Sequence, residues 1–593
     1  MRRGVFRMYY TVVKKLQLSF CIVKRSALLH WLVCGLFFVT TPSLFAQSFD
    51  VEELASFYKK RPLKFGGGLS AQTSYYLQSL HEKRQPFVYQ LSGNVNIALF
   101  ESLTLPLQFS LNNYGSNFFY PTLPNRFSLH PSYRWIRAHI GDISMSLSRY
   151  TMTGYPFVGA GVELTPDKWQ ITCLGGRFVK PVKYSSKQSN VPPTFERWGA
   201  GLKTHYAGQI FSLGGALFVA SDRLRALSEA EDSLKIAPKK NIAISLDGAL
   251  MLGKLKCAVE CGISLLTRDI RTTRAASRLW DKLLDVRTST AHYYAIKAEL
   301  SYTLANNTFG IGYERVAPDY NTLGAYYFNN DFENITATYA RNFFSEKLKF
   351  ALRGGLQYDD LNGLKLERNL RYVGAADLQY TPVETLDLKL GYSSFQSHRN
   401  LKPYTDLGFV QTPYESIDTL NFVQRNQNAD FSCSWLFQKS ALSTQNISFS
   451  ARLEVLANRQ GERELPKNSS QLIDLCFDYV FALQPKDFNL TLGTNFGNNN
   501  SFQERSIALS GHLGLQKRFL KKKLQCQFTT TYSRTMARER FNPYIISSHW
   551  NTSYNLYKQH RIQAMIAYQY TSSTASSKNK WSVHTQLSYQ FTF

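Results

Sequence analysis

The chain has 593 residues, of which 44% are hydrophobic and 14% are aromatic, with 41 Phe and 35 Tyr. Its mean hydropathy is -0.27, and after residue 46 no apolar run approaches the roughly 20 residues that a spanning helix requires, so a helical membrane protein is excluded. The formal net charge is +27, but the basic residues are interleaved with Asp and Glu. Together with the export signal described next, this distribution predicts no nucleic-acid partner.

The first 46 residues carry the pattern of a cleaved signal peptide. Seven basic residues and no acidic residue precede a mostly apolar stretch, 27–40. Ala46 then supplies a small residue where a signal peptidase would cut before Gln47. We predict that residues 1–46 are removed, which leaves 62 basic and 42 acidic residues and a net charge of +20. Residues 47–63 are predicted to form a short amphipathic periplasmic helix that leads into the first strand.

From residue 64 to residue 593 the sequence alternates apolar and polar residues in short segments. Within residues 386–392, for example, Leu386, Leu388 and Leu390 share one face, while Asp387 and Lys389 lie on the other. A period of two is typical of β-strands that have one apolar face. Charged residues on the second face of so many strands favour a water-filled lumen over the dry core of a sandwich. We count about 26 strands, within a range of about 22 to 28.

Short polar turns alternate along the chain with longer polar stretches. Residues 166–168 and 305–307 are such turns, and residues 180–195 and 397–418 are such stretches. Tight turns at one end and long loops at the other are typical of outer-membrane barrels. Because every amide in a bilayer needs a partner, a sheet that spans it must close. The sequence therefore predicts an all-β fold, a large closed antiparallel transmembrane β-barrel over residues 64–593, with short periplasmic turns and long outer loops.

A stretch near the start of the barrel resembles a known family. Residues 125–178, which begin NRFSLHPSYRW, are similar to a family of outer-membrane barrels of the Bacteroidota, as is LFAQ at the cleavage site. The resemblance covers about a tenth of the chain. It implies an outer-membrane location and a barrel fold, and it carries no catalytic assignment. The matching positions are Arg126, Phe127, Pro131, Ser132, Tyr133, Trp135, His139, Gly141, Ser148, Tyr150, Thr151, Gly154, Phe157, Gly159, Ala160, Gly161, Val162, Glu163, Leu164, Pro166 and Arg177.

The same resemblance suggests a covalent modification. In that phylum, an Asp followed by Ser or Thr and then an aliphatic residue is an acceptor pattern for O-glycosylation. The tripeptides 232–234 and 418–420 have this pattern, so Ser233 and Thr419 are candidate acceptors.

The sequence predicts neither an enzyme nor a bound cofactor. His139, Asp142, Ser144 and Ser146 are close in sequence, but neighbouring positions on a strand point to opposite faces, so we interpret His139 as structural. Nucleotide-binding and hydrolase motifs are absent from the sequence. Cys257 and Cys261 share one face of a strand, a spacing that suits neither a zinc site nor a disulfide within that strand. No metal is predicted.

The chain ends on a strand whose alternate residues are large. This row is predicted to face the membrane, to close the barrel against the first strand, and to serve as the signal that the outer-membrane assembly machinery reads. Its members are Trp581, Val583, Leu587, Tyr589, Phe591 and Phe593.

These features lead to an expected function. About 26 strands enclose a wide lumen, and residues 47–63 are too few for the globular plug of an energy-coupled receptor. We expect residues 221–240 and 267–288, which have helical spacing of Leu and Val, to form helices that either fold into the lumen or lie solvated on the surface. Folded inward, residues 267–288 would pair their arginines with luminal acids such as Asp387. The predicted function is an outer-membrane channel or transport pore, occluded by loops or a partner. The alternative is a scaffold barrel that binds a lipoprotein or secretion component. The barrel is expected to be surrounded by outer-membrane lipid.

Overall fold

In the computed structural model, the structure describes residues 63–79, 86–100, 102–113, 126–184, 193–225, 234, 236–275, 285–325, 328–364, 370–396, 423–460, 463–464, 470–501, 504–537, 540–573 and 579–593. The predicted signal peptide, residues 47–62 of the predicted lead-in helix, and both candidate glycosylation residues, Ser233 and Thr419, lie outside these ranges. Leu63 already belongs to the first strand.

The described residues are almost entirely β-strand. The first strands are β1 (Leu63–Gln78), β2 (Phe87–Leu99), β3 (Leu103–Asn112), β4 (Arg126–Leu129), β5 (Ser132–Tyr133), β6 (Ile136–Met145), β7 (Tyr155–Leu164), β8 (Trp169–Val179), β9 (Arg197–Ala207) and β10 (Phe211–Asp222). The next are β11 (Lys240–Leu252), β12 (Leu255–Thr267), β13 (Thr290–Leu304), β14 (Asn307–Val316), β15 (Phe332–Phe343), β16 (Leu348–Asp359), β17 (Leu370–Val383), β18 (Leu386–Gln396), β19 (Val423–Lys439) and β20 (Ser443–Gln460). The last are β21 (Arg463–Glu464), β22 (Ser470–Leu483), β23 (Phe488–Ser501), β24 (Glu504–Phe519), β25 (Leu524–Ala537), β26 (Arg540–Phe541), β27 (Ile545–Tyr557), β28 (His560–Thr571) and β29 (Lys580–Thr592).

Each strand pairs antiparallel with its neighbours along the chain, and the last strand pairs with the first. The ladder between β1 and β29 runs from Gly68 opposite Thr592 to Gln78 opposite Ser582. The segments β4 and β5 form one interrupted strand between β3 and β6, while β21 and β26 are two-residue extensions beside β20 and β25. Within the described residues this gives a closed antiparallel barrel of 26 strands, as predicted.

The two ends of the barrel differ in the length of their connections. At one end, two residues join β11 to β12, β13 to β14, and β27 to β28. Left-handed backbone makes tight reversals at this end, as hairpin turns require; examples are Ala305 after β13, Asp167 after β7 and Asp487 after β22. At the other end the connections are long, for example residues 180–196 and 223–239. The predicted alternation of short turns and long loops is confirmed for these strands.

The outer face of the barrel is apolar and exposed. Ile311 of β14 is 60% exposed and Leu509 of β24 is 61% exposed, and both belong to rows of alternate apolar residues. Water would disfavour so much exposed apolar surface, whereas lipid accommodates it. No helix in the described part of the chain is long and apolar enough to cross a membrane.

Candidate functional site

The buried apolar residues of the barrel lie in one sector of its interior. Within the described part, every buried hydrophobic residue falls between Ile143 and Leu323. The two clusters that most of them form lie on the inner faces of β6 to β14 and in two connections at the long-loop end, while Phe195 and Ile236 lie in two other connections. We name residues 146–154, between β6 and β7, the first inturned loop, and residues 317–325, after β14, the second inturned loop. Together with the wall beneath them they form the loop core.

Hydrogen bonds join the two inturned loops directly. The Tyr320 hydroxyl donates to the main-chain oxygen of Tyr150 at 2.6 Å, and the Thr322 hydroxyl donates to that of Thr151, also at 2.6 Å. Met152 and Gly324 form a parallel β-bridge. Since the donors and acceptors are buried, separating the loops would leave main-chain oxygens without partners unless water entered.

Inward side chains of the wall hold the loops in place. The Tyr150 hydroxyl donates to Glu314 Oε1 of β14 at 3.1 Å, and Arg149 pairs with the same carboxylate at 2.9 Å. The amide oxygen of Asn241, on β11, accepts from the main-chain nitrogen of Leu323 at 3.1 Å. Asn241 in turn donates to Ser264 Oγ of β12 at 2.7 Å. The loops are therefore tied to three strands of the barrel.

The wall beneath the loops consists of small or aromatic residues. The ring of Phe178 stacks on Phe157 at 4.8 Å and meets Phe218 edge-on at 5.3 Å. A Cβ atom on Gly262 would overlap the side chain of Tyr150, and one on Gly201 would overlap Leu147. Glycine at these inward positions leaves the space that the loop side chains fill. The loop core is thus a packed contact rather than a loose covering.

Burial sets the protonation state of the two tyrosines in the loops. It raises the pKa of Tyr150 well above the ordinary value of a phenol, and the carboxylate of Glu314 adds to the rise. Burial also raises the pKa of Tyr320, with a smaller contribution from Glu260. Both phenols therefore remain neutral donors up to strongly alkaline pH.

A different sector of the interior is polar and uncharged. In β23 to β25, β27 to β29 and β1 to β3, the residues opposite the apolar outer rows are mostly Ser, Thr, Asn, Gln and Gly. His, Ala and a few larger residues such as Tyr76, Ile545 and Met565 occupy other positions. Charged residues on this face lie at strand ends, among them Glu504, Arg518, Arg561 and Lys580. We name this face the neutral wall. The charged pairs of the interior lie elsewhere, such as Lys389 with Asp387 at 3.0 Å.

The two segments that the sequence places inside the lumen behave differently from expectation. Residues 221 and 222 still belong to β10, and residue 240 already belongs to β11. Arg274 and Arg287 form an antiparallel bridge, so the described ends of 267–288 continue a hairpin instead of forming a helix. The helix prediction is therefore wrong at these ends; residues 226–233 and 276–284 lie outside the description.

For the described arginines, the predicted pairing with Asp387 is also wrong. Arg274 and Arg287 both pair with Asp285. Hydrogen bonds from these arginines oppose the effect of burial and hold the pKa of Asp285 below its usual range. Asp387 accepts instead from Gln379 at 3.0 Å and Thr381 at 2.9 Å.

The residues weighed as a catalytic set have separate partners. His139 Nδ1 lies 2.8 Å from His130 Nδ1. Asp142 accepts from the main-chain nitrogen of Phe127 at 3.1 Å. Ser146 accepts from the main-chain nitrogen of Gly154 at 2.8 Å. These contacts do not bring a nucleophile to a base, as acyl or group transfer would require.

The predicted membrane row of the last strand lies on the outer face. Leu587 is 55% exposed, and Trp581 and Tyr589 are exposed beside it. The remaining members are partly buried: Val583, Phe591 and Phe593. The main chains of Phe593 and Gly67 exchange two hydrogen bonds, at 2.9 and 3.0 Å. The strand thus closes the barrel. Its recognition by the outer-membrane assembly machinery stays a prediction.

The cysteines of the described residues are all free. Cys257 and Cys261 share their face of β12 with Val259 and Ile263, which are exposed. They stand among the outer apolar residues, as expected.

No family model matches the chain, and no curated protein matches it. Among solved structures, the P pilus usher PapC translocation pore aligns with a TM-score of 0.38 and 11% identity, over 90% of this chain and 99% of that one. The ferric enterobactin receptor PfeA from Pseudomonas aeruginosa aligns with a TM-score of 0.39 and 8% identity, over 90% and 81%. The copper transporter OprC aligns with a TM-score of 0.39 and 10% identity, over 90% of this chain and 81% of that one.

Proposed function

We propose that the protein is an outer-membrane channel whose lumen is narrowed by the two inturned loops. The observation that carries this proposal is the buried contact between them, in which Tyr320 and Thr322 donate to the main chain of residues 150 and 151. Loops held in this way inside the wall reduce the cross-section that a solute could use. The apolar outer rows are suited to outer-membrane lipid, and the closing strand to recognition by the barrel assembly machinery.

Physical reasoning supports a narrowed pore over an open one. The lumen of a barrel grows with strand number, and 16 to 18 strands already leave an aqueous channel. A barrel of 26 strands would admit large toxic solutes unless part of the lumen were filled. The loop core fills the sector beside β6 to β14, while the neutral wall offers a polar surface on the other side.

Planar-bilayer recording of the purified, folded protein tests the proposal. We expect discrete conductance steps smaller than those of a 16- to 18-stranded open porin recorded under the same conditions. Fractionation of the native cell envelope should place the protein in the outer membrane, with Gln47 as its first residue by N-terminal sequencing. Absence of conductance from protein that shows heat-modifiable migration, together with a lipoprotein or secretion component that co-purifies, would replace the channel with the scaffold alternative.

A further inference from the structure

The neutral wall contains a groove on the luminal side of the first strands. Gln590 of β29 lies opposite Ser70 of β1, and Ser70 Oγ lies 2.7 Å from Ser92 Oγ of β2. Gln108 of β3 continues the row. Leu69, Gly93 and Phe109 also line the groove, although the side chains of Leu69 and Phe109 meet at Gly93 on the other face of the sheet, while the polar lining residues share the inner face. The groove therefore opens toward the lumen.

The groove has the size of a binding site for a small molecule. Its volume is about 410 Å³, and its polar lining includes Ser70, Ser92, Asn94, Gln108, Ser110 and Gln590. Pockets for small ligands have volumes of roughly 300–1,000 Å³. The groove is thus large enough for one or two rings of a hydrophilic solute.

The chemistry of the lining selects among solutes. Amide and hydroxyl groups both donate and accept hydrogen bonds, and they carry no charge. Arg126 and Asp142 line the groove as well, but their opposite charges leave no net charge to attract an ion. A charged solute would lose hydration here without a net counter-charge, since it would meet a like charge as well as an opposite one. A solute with many hydroxyl groups would exchange hydrogen bonds with water for similar bonds with the wall.

Aromatic rings extend the same face beyond the groove. The rings of Tyr76 on β1 and His584 on β29 lie 6.3 Å apart, and both side chains share the inner face with Ser70 and Gln590. Tyr76 is six residues from Ser70, a distance of about 20 Å along a strand. Ring faces at this distance would contact the far units of a longer chain.

We propose that this groove is a subsite for a neutral, polyhydroxylated solute, a short oligosaccharide. The inference rests on the proposed channel, because it names the class of solute that the same lumen accommodates. The inference concerns binding of the solute to the wall, so a binding measurement tests it independently of ion conductance.

Saturation-transfer NMR on the folded protein in micelles of a sugar-free detergent tests the groove. The probes are maltotriose, cellotriose and triacetylchitotriose, with trigalacturonate as the charged counterpart. We expect at least one neutral trisaccharide to bind, and trigalacturonate to bind about tenfold more weakly. The double variant Asn94→Ala, Gln108→Ala should weaken the neutral probe about tenfold, since it removes two hydrogen-bonding side chains.

A matched variant separates the groove from the wall in general. Gln527 and Asn551 lie on the neutral wall, opposite each other on β25 and β27, and away from the groove lining. The double variant Gln527→Ala, Asn551→Ala should bind the neutral probe as the parent does. Equal losses in both double variants, no binding of any neutral probe, or equal binding of trigalacturonate would overturn the inference. If the protein conducts ions but binds no probe, the groove proposal fails and the channel proposal is kept. If the protein binds a neutral probe but does not conduct, the channel proposal fails and the groove proposal is kept.

Discussion

The hydroxyl of Tyr320 donates a hydrogen bond of 2.6 Å to the main-chain oxygen of Tyr150, a residue 170 positions earlier in the chain. The bond is buried, and it connects two loops that leave different strands of the same wall. Residues of both loops share two buried apolar clusters, one with Met152 and Leu323 and one with Tyr150 and Tyr320. Each provides the surface on which the other packs, so we treat the two loops as one cooperative element.

Removing the hydroxyl groups of the contact should release the loops. In the double variant Tyr320→Phe, Thr322→Val, the main-chain oxygens of Tyr150 and Thr151 lose their donors, at a cost of about 1–3 kcal/mol each. We expect amide hydrogen exchange in residues 146–154 to accelerate at least about tenfold. Tyr568→Phe, on the exposed outer face, is the control and should leave exchange unchanged. Equal exchange in the double variant and the parent would contradict a loop contact of this kind.

Filling the space at Gly262 should displace Tyr150. Valine at this position suits a strand but overlaps the Tyr150 side chain, and overpacking of this kind costs about 1–3 kcal/mol. We expect Gly262→Val to raise single-channel conductance while the barrel still folds. Gly354→Val is the matched control, because no heavy atom lies within 4 Å of a Cβ at that glycine. If the two variants conduct alike, the packing of Tyr150 on the wall does not restrict the pore.

Alkaline pH should loosen the loop core. Burial raises the pKa of Tyr150 and Tyr320, so the closed loops favour the neutral phenols. This contribution to the stability of the closed loops is complete below about pH 10, the pKa of a tyrosine in the unfolded chain. As pH rises above about 10, ionisation in the open state opposes closure and this contribution is lost. Conductance recorded from pH 8 to pH 11 should therefore increase near the upper end. The variant Tyr150→Phe, Tyr320→Phe should lose most of that pH dependence; an unchanged profile would exclude these phenols as its cause.

Truncation of the last strand should prevent closure. Deleting residues 589–593 removes the partners of Leu69 and Ala71 and leaves an unpaired sheet edge, which a bilayer does not tolerate. We expect the heat-modifiable band on a gel to disappear. The control variant Ser588→Ala, Gln590→Ala changes only inward side chains of the same strand and should assemble normally. A heat-modifiable band from the truncated chain would show that this end is not needed for closure.

The barrel could be predicted from the sequence because its signals are local. Alternation within segments such as 386–392 and the alternation of short and long connections each involve neighbouring residues, and together they lead to a closed sheet of about 26 strands. Pro131 marks the interruption between β4 and β5, since it removes a main-chain donor inside what would otherwise be one strand.

The loop core could not be predicted in the same way. The contact of Tyr150 with Tyr320 depends on which strands become neighbours across the wall, and no local pattern encodes it. The helical spacing of Leu and Val in 267–288 pointed to a different segment, whose Arg274 and Arg287 are satisfied by Asp285. A usable signal was present in β10, FSLGGALFVASD, which is apolar on both faces. A strand apolar on both faces indicates that its inner face is covered.

The most direct test of the account is the single-channel conductance of a variant in which residues 147–153 are replaced by two glycines. Folding is verified by heat-modifiable migration, and the same replacement at residues 573–578, between β28 and β29, is the control. The account predicts that loss of the first inturned loop, and with it the support of the second, raises conductance severalfold, while the control conducts like the parent. A folded variant with the parental conductance would contradict the claim that the inturned loops narrow this channel.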